Sequence, residues 1–403
     1  MKYRWLALLV FALVSLCAHA KVSVSVVTSY PSDREVYTLW GHTALLVESD
    51  SFSRVYNYGV FEFDEDFVYK FVSGQTDYLL DEESPRMMMG ELKWKRSPAY
   101  AQILNLTDEE AAAVAEALKE NLRPENAVYR YKFFSDNCAT RPQRLVERCV
   151  KGIVYEDVKN TESYRDITHR LCASAPWLRV GIDVCLGSEA DKVVPDSGVT
   201  FLPVNLMSLW DHAKIVSPDG TSRPLVKAKV CLFPPALTKD SSTVPSLWQT
   251  PLFASLVVLL LSALALFLSV KGRVGFARGF GGLCFLVAGA LGCLVFYLTF
   301  FSTHECTSPN FNLFWLNPLH WVTAVILFLG LRSDFSRVWL VVDIILCAMY
   351  LLIAAPFLQG SCAEFVLLSI SLIINALAYI CPDRCSFLDF FNKKRLSDKQ
   401  QIK

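Results

Sequence analysis

The sequence predicts an α+β domain outside the membrane followed by an all-α bundle of membrane-spanning helices. Hydrophobic residues make up 53% of the 403-residue chain and charged residues only 19%, more apolar than soluble averages. The excess is concentrated after position 250, in runs each close to the roughly 20 residues needed to cross a hydrocarbon core. Before position 234, period-two strand patterns give way to capped helical ones, the mixture expected of an α+β fold.

Residues 1–20 read as a secretory signal peptide: Lys2 and Arg4, an apolar stretch from Trp5 to Leu16, and the small-residue site Ala18-His19-Ala20. Lys21 then opens the mature chain. Lipoprotein processing at Cys17 is the alternative, disfavoured by the bulky Leu16 before it. The exported domain is expected over 21–234. The stretch from Lys21 to Val27 alternates with period two, and Thr43–Glu48 and Arg54–Phe63 are rich in β-formers, which predicts three early strands. Thr107-Asp108-Glu109-Glu110 reads as a capping box opening an Ala-rich helix to Leu122. Ala127–Phe134 reads as extended, a helix is expected to open at Asn137-Cys138, and further helices are expected over Glu162–Ala173 and Leu206–Ile215. Pro234-Pro235 and the polar stretch Lys239 to Ser246 mark a linker, 235–250.

Five spans are expected within 251–381, at 251–270, 280–301, 313–331, 338–356 and 363–381. Positive residues in short loops stay cytoplasmic. Lys271, Arg273 and Arg278 follow the first run, Arg332 and Arg337 the third, and Arg384, Lys393, Lys394 and Arg395 the fifth, whereas Ser302 to Pro318 carries no Lys or Arg. This alternation places the 382–403 tail in the cytoplasm of a bacterial cell and the first domain in the periplasm, on the inner membrane. Lys+Arg and Asp+Glu both number 39, so no nucleic-acid partner is expected.

Cysteine usage fits an oxidising compartment. The exported domain holds Cys138, Cys149, Cys172, Cys185 and Cys231, an odd set. With Cys138 set apart as a free thiol, the other four are expected to pair, in one of three ways. No Cys-x-x-Cys or His/Cys cluster has zinc spacing, so neither a metal nor a cofactor is expected.

A thiol nucleophile needs a base and gains from a helix N-terminus, whose amides favour the anion. Cys138, capped by Asp136 or Asn137, is expected in a first helical turn. Pro142 conflicts with that, because its ring would clash with the Cys138 carbonyl, so the turn must be distorted or the helix must start later. Candidate bases are His42, His169 and His212. His42 opens an apolar strand in Trp40-Gly41-His42-Thr43, His169 reads as a surface residue, and His212 as a partner of Asp211.

A strand-borne His, a strand pair, then Asn-Cys opening a helix resembles the circularly permuted papain-like fold of the NlpC/P60 and lecithin:retinol acyltransferase-like (LRAT-like) enzymes. Trp40-Gly41-His42, Tyr56-Asn57-Tyr58-Gly59-Val60-Phe61, Gly74-Gln75-Thr76-Asp77-Tyr78 and Tyr129 through Asn137-Cys138-Ala139-Thr140-Arg141 resemble, more narrowly, the thiol-type bacterial lipoprotein N-acyltransferase family. The likeness extends to Pro176-Trp177, Gly181-Ile182-Asp183 and the neutral loop His304-Glu305…Asn310…Asn312…Asn317-Pro318. It implies Cys138 as nucleophile and His42 as base, Asn57 orienting the ring with Asp77 the weaker candidate, and Asn137 beside the thiol in the catalytic set. Arg141 would bind phosphate or brace its loop, and His304, Glu305, Asn310 and Asn312 would contact substrate. The implied partners are a membrane phospholipid as acyl donor and diacylated lipoproteins as acceptors. A peptidoglycan amidopeptidase and a non-catalytic envelope binding or sensor domain are the alternatives.

Overall fold

The protein is described by a computed structural model covering residues 22–400 except 33, 157–158 and 235–245, with side chains as far as Cys381. The expected signal peptide and most of the expected linker lie outside the described residues.

The chain forms two compact units. One comprises residues up to Thr161 together with 194–242, the other Glu162–Val193 together with the chain from Thr243 onward. Segment 162–193 thus leaves the unit to which the sequence reading assigned it.

The first unit is built on a seven-stranded antiparallel sheet. Its strands are β1 (Ser23–Ser29), β2 (His42–Glu48), β3 (Ser53–Val60), β4 (Asp77–Glu83), β5 (Ala99–Leu104), β6 (Val128–Arg130) and β10 (Val226–Phe233), in the order β10-β5-β1-β2-β3-β4-β6. A small second sheet joins β7 (Ile153–Val154), β8 (Lys214–Val216) and β9 (Ser222–Pro224). Strand alternation sends Val24, Val26, Leu45, Val47, Tyr56 and Tyr58 to one face and Val27, Ala44, Leu46 and Val55 to the other, and both faces are buried. Helix α1 (Phe67–Ser73) precedes β4, and α2 (Pro85–Lys95) covers the second face with Met88 and Leu92. Ser84 caps α2 and Pro85 occupies its first turn, where no amide partner is lost. The first face is covered by α3 (Asp108–Asn121), α4 (Thr140–Cys149) and, further along the chain, α7 (Pro203–His212). The expected capping box at α3 is formed: Thr107 Oγ1 accepts from the Glu110 amide at 3.2 Å, and Glu110 accepts from the Thr107 amide at 2.8 Å.

In the second unit, α5 (Tyr164–Leu171) and α6 (Pro176–Cys185) are held by an ion cluster. Buried Arg165 meets Asp183 at 2.7 Å and Asp191 at 2.6 Å and donates to the Leu186 and Gly187 carbonyls. Three helices lie entirely within the described side chains and are long and apolar enough to cross a membrane: α8 (Pro251–Val270), α9 (Val274–Phe300), and α11 (Asp334–Met349) with its wider-wound continuation to Leu358. The fourth is the first half of α12 (Ala363–Gln400), over Ala363–Cys381. The expected third span, 313–331, is not one unbroken helix. It breaks into a turn at Phe311–Phe314 and a ten-residue helix, α10 (His320–Leu329), about 15 Å long against a core of about 30 Å. Pro318 cannot lie inside a regular helix, and the Asn317 side chain accepts the Leu319 amide instead. Beyond that apolar stretch α12 continues as helix through the expected tail to Gln400.

Cys149, Cys172, Cys185 and Cys231 are all unpaired thiols, so the expected bridges are not formed. Cys149 and Cys231 belong to the first unit and Cys172 and Cys185 to the second. The sequence reading also passed over Cys306 and Cys362, which follow α9 and precede α12 and are likewise free.

Candidate active site

The site is assembled where β2 begins. Gly41 precedes it with φ +74°, and a Cβ there would lie 2.5 Å from the Ser29 carbonyl oxygen, so only glycine fits. Trp40 packs edge-on against Phe133, with centroids 4.7 Å apart, which ties the start of β2 to the loop bearing the thiol. Ala44 faces Asn57 across β2 and β3, which sets His42 diagonally from Asn57 on the same face. Their side chains meet: His42 Nε2 lies 3.1 Å from Asn57 Oδ1. Asn57 Nδ2 donates in turn to Glu83 Oε1 at 2.8 Å. Glu83, on β4, was not singled out in the sequence, because nothing in a lone strand glutamate marks a partner 26 residues upstream.

Cys138 is buried in the turn before α4, not in its first helical turn. The helix starts at Thr140, which puts Pro142 at its third position, where it costs no hydrogen bond. Asn137 builds the turn. Its Oδ1 accepts the amides of Ala139 and Thr140 at 2.9 and 3.0 Å, and its Nδ2 donates to the Phe133 and Phe201 carbonyls, both at 2.8 Å. Gly59, beside an irregularity in β3, has φ +93°, a backbone that L side chains rarely adopt, and it packs against the thiol turn: a Cβ on it would rest in ordinary contact, 3.6 Å from Cys138 Cβ.

The Cys138 sulfur is faced by two backbone amides, its own and that of Thr43, the residue after His42. Burial nevertheless dominates and pushes the thiol up to about 11, with those amides and Lys95 pulling weakly the other way. Burial also holds His42 down to about 4, assisted by Lys95 and opposed by the Asn57 hydrogen bond and Glu91. Both groups are therefore neutral at pH 7, and no hydrogen bond joins them in this state among the described residues. A neutral imidazole is the form that can accept a proton. Behind the ring, α2 and the sheet enclose a cavity of about 30 Å³ lined by His42, Asn57, Glu83, Glu91 and Lys95, too small for an acyl chain.

Other expected site residues have different surroundings. Asp77 is exposed and pairs with Arg130 at 2.7 Å, away from the imidazole's hydrogen bonds. Arg141 braces its loop: it forks onto Asp136 at 2.7 and 2.9 Å and lies 3.4 Å above the Tyr129 ring. In the second unit, Asn310 and Asn312 are buried, and their amides donate to the carbonyls of Val184 and Cys185 and of Asp183 and Val184. The two asparagines close the carbonyl end of α6, which a helix leaves unsatisfied. His304 and Glu305 lie in the turn after α9, where Thr307 donates to the His304 carbonyl. His169 pairs with Asp183 at 2.8 Å, and His212 contacts the Ser208 carbonyl, whereas Asp211 takes Gln102 and Lys229.

Two family models match the chain. The Lnb N-terminal periplasmic domain covers residues 17–170 and the Lnb transmembrane domain covers residues 242–383. The chain belongs to the Lnb family. The α+β unit that holds the thiol and imidazole is thus built around the periplasmic domain of an Lnb protein, and the helical unit carries its multi-span membrane domain. Lnb membership places the protein among membrane-associated enzymes of lipoprotein processing. No curated protein and no solved structure gives a match.

Proposed function

We propose that this Lnb protein is a lipoprotein N-acyltransferase that works through a thioester on Cys138. The observation that carries the reading is the His42–Asn57 hydrogen bond at the strand end where the Thr43 amide faces the Cys138 sulfur. In the first half-reaction the Cys138 thiol gives its proton to His42 as sulfur attacks a phospholipid ester carbonyl. The S–C bond forms, the ester C–O bond breaks, and the released glycerol oxygen takes the proton from His42, leaving a lysophospholipid. In the second, the α-amine of a diacylglyceryl-cysteine lipoprotein attacks the thioester, the C–S bond breaks, and the proton lost by nitrogen returns to sulfur. The amides of Thr43 and Cys138 supply the charge stabilisation each tetrahedral oxyanion requires. The antiparallel sheet with α4 behind the thiol is read as the permuted NlpC/P60-like arrangement. The membrane is read as the bacterial inner membrane, with the C-terminus cytoplasmic, and His304 and Glu305 as substrate contacts.

The test is trapping. Full-length protein turning over a phospholipid donor should carry an acyl adduct labile to neutral hydroxylamine, absent in Cys138→Ala. Lipoprotein N-acylation that persists undiminished in Cys138→Ala overturns the proposal.

A further inference from the structure

The three side chains His42, Asn57 and Glu83 form a directed chain. An ionised carboxylate accepts hydrogen bonds and cannot donate them, so the group facing Glu83 Oε1 at 2.8 Å must be the Asn57 NH₂. The Asn57 amide then has one orientation left, with Oδ1 turned to His42 Nε2 at 3.1 Å. A carbonyl oxygen also only accepts, so Nε2 must carry the imidazole hydrogen, and Nδ1 keeps the free lone pair. Without Glu83, an asparagine beside a histidine fixes nothing, because its amide can turn by 180° and present NH₂ instead. We propose that Glu83 is a positioning residue that sets the tautomer of His42 through Asn57, leaving Nδ1 as the basic atom.

This rests on the reading of His42 as the base for Cys138. The strand framework supports it. Glu83 faces Val55 and Asn57 faces Asp81 across β3 and β4, so Glu83 and Asn57 are diagonal neighbours on one sheet face, as are Asn57 and His42. The charged groups around the chain are Glu91 and Lys95, both from α2, and Asp81 on the strand of Glu83. None of these is hydrogen-bonded to the Asn57 amide, so Glu83 alone dictates which way that amide faces.

The experiment uses the full-length chain in detergent micelles, labelled with ¹⁵N-histidine, His42 being assigned by the signal lost in His42→Gln. Imidazole ¹⁵N shifts report the tautomer directly, and hydroxylamine-labile adduct formation reports the rate. Wild type should show His42 as the Nε2–H tautomer. In Glu83→Leu the Nδ1–H tautomer should appear and adduct formation should fall by about tenfold or more, within the range for loss of acid–base function. The decisive variant is the double substitution Asn57→Asp/Glu83→Gln, which keeps the shapes but moves the acceptor-only group next to the ring. It should restore the Nε2–H tautomer and bring the rate back to within several-fold of wild type, because an acceptor-only group at position 57 fixes the ring hydrogen without help from position 83. A pure Nε2–H tautomer in Glu83→Leu, or a folded double variant whose tautomers stay mixed, overturns the proposal. Should wild type form no adduct, the acyl-transfer reading fails, while the tautomer spectra still decide the role of Glu83.

Discussion

The neutrality of the pair can be tested by pH. With His42 held down to about 4 by burial, the base stays in its proton-accepting form far into acid. At pH 5.5 about 97% of such a group is neutral, against about 9% of an ordinary imidazole titrating near 6.5. The rate constant for adduct formation on Cys138 from a phospholipid, under subsaturating conditions, should therefore fall little between pH 7 and 5.5 and reach half near pH 4. Lys95→Met removes a charge that lowers His42, so its acid limb should move upward. The same assignment predicts slow alkylation. A thiol pushed up to about 11 is ionised to only about one part in 10⁴ at pH 7, against about 3% for an ordinary cysteine at 8.5, so iodoacetamide should label Cys138 more slowly than exposed Cys231. An acid limb at or above pH 6.5, or rapid alkylation that depends on His42, would mean a preformed thiolate–imidazolium pair and refute the reasoning.

Asn57→Ala should lower adduct formation by about 10² or more with little change in thermal stability, measured by single-turnover mass analysis beside a melting curve. Asn137→Ala removes four hydrogen bonds around a buried turn and should cost about 2–4 kcal/mol as well as activity, seen as a loss of melting temperature that Asn57→Ala does not share. Asn312→Leu removes the side-chain partner of the Asp183 carbonyl at the end of α6 and should destabilise the helical unit by about 1–3 kcal/mol, whereas His304→Ala should not; limited proteolysis of the solubilised protein distinguishes them. Stability should also fall as pH drops from 6.5 to 4, because the unfolded imidazole takes up a proton that folded His42 refuses. The sign follows from a lowered folded value, the ceiling is about 3 kcal/mol, and His42→Gln should flatten that slope in urea titrations.

What was legible in the sequence follows the range of the forces involved. The pairing of Asn57 with His42 comes from the family resemblance, with Asp77 the weaker candidate; the register of β2 and β3 supplies its geometry, setting the two side chains on one face. Glu83 joins them from a strand separated by a helix, and no local pattern encodes that meeting. Pro142 did announce that α4 starts late, since proline is tolerated only where a helix amide has no partner. The grouping of segment 162–193 with the later chain could not be read in advance, because amphipathic helices show that a face is buried, not what buries it. The partners of that segment, Arg165 with Asp183 and Asp191 and the carbonyls taken by Asn310 and Asn312, are long-range polar contacts invisible to periodicity. The broken third span has a local cause instead: Pro318 cannot lie inside a regular helix, and the Asn317 side chain accepts the Leu319 amide where the new helix begins.

The two displaced titrations constrain the order of events in the proposed reaction. Moving the proton from a thiol that burial raises to an imidazole that burial lowers, before anything else happens, runs against both displacements. In the proposed reaction proton transfer therefore accompanies attack on the ester. As sulfur bonds to carbon its acidity rises steeply, and the negative charge that would be costly on buried sulfur is delivered to the carbonyl oxygen, where the Thr43 and Cys138 amides can meet it. On the proposed mechanism the thiol would stay protonated until an acyl ester is bound. That suits a free thiol in an oxidising compartment, because oxidants and alkylating agents attack the thiolate, which here does not accumulate. It also explains why the imidazole must be held with one particular nitrogen bare: with no standing ion pair to orient the ring, the Asn57–Glu83 chain is what keeps the proton acceptor aimed.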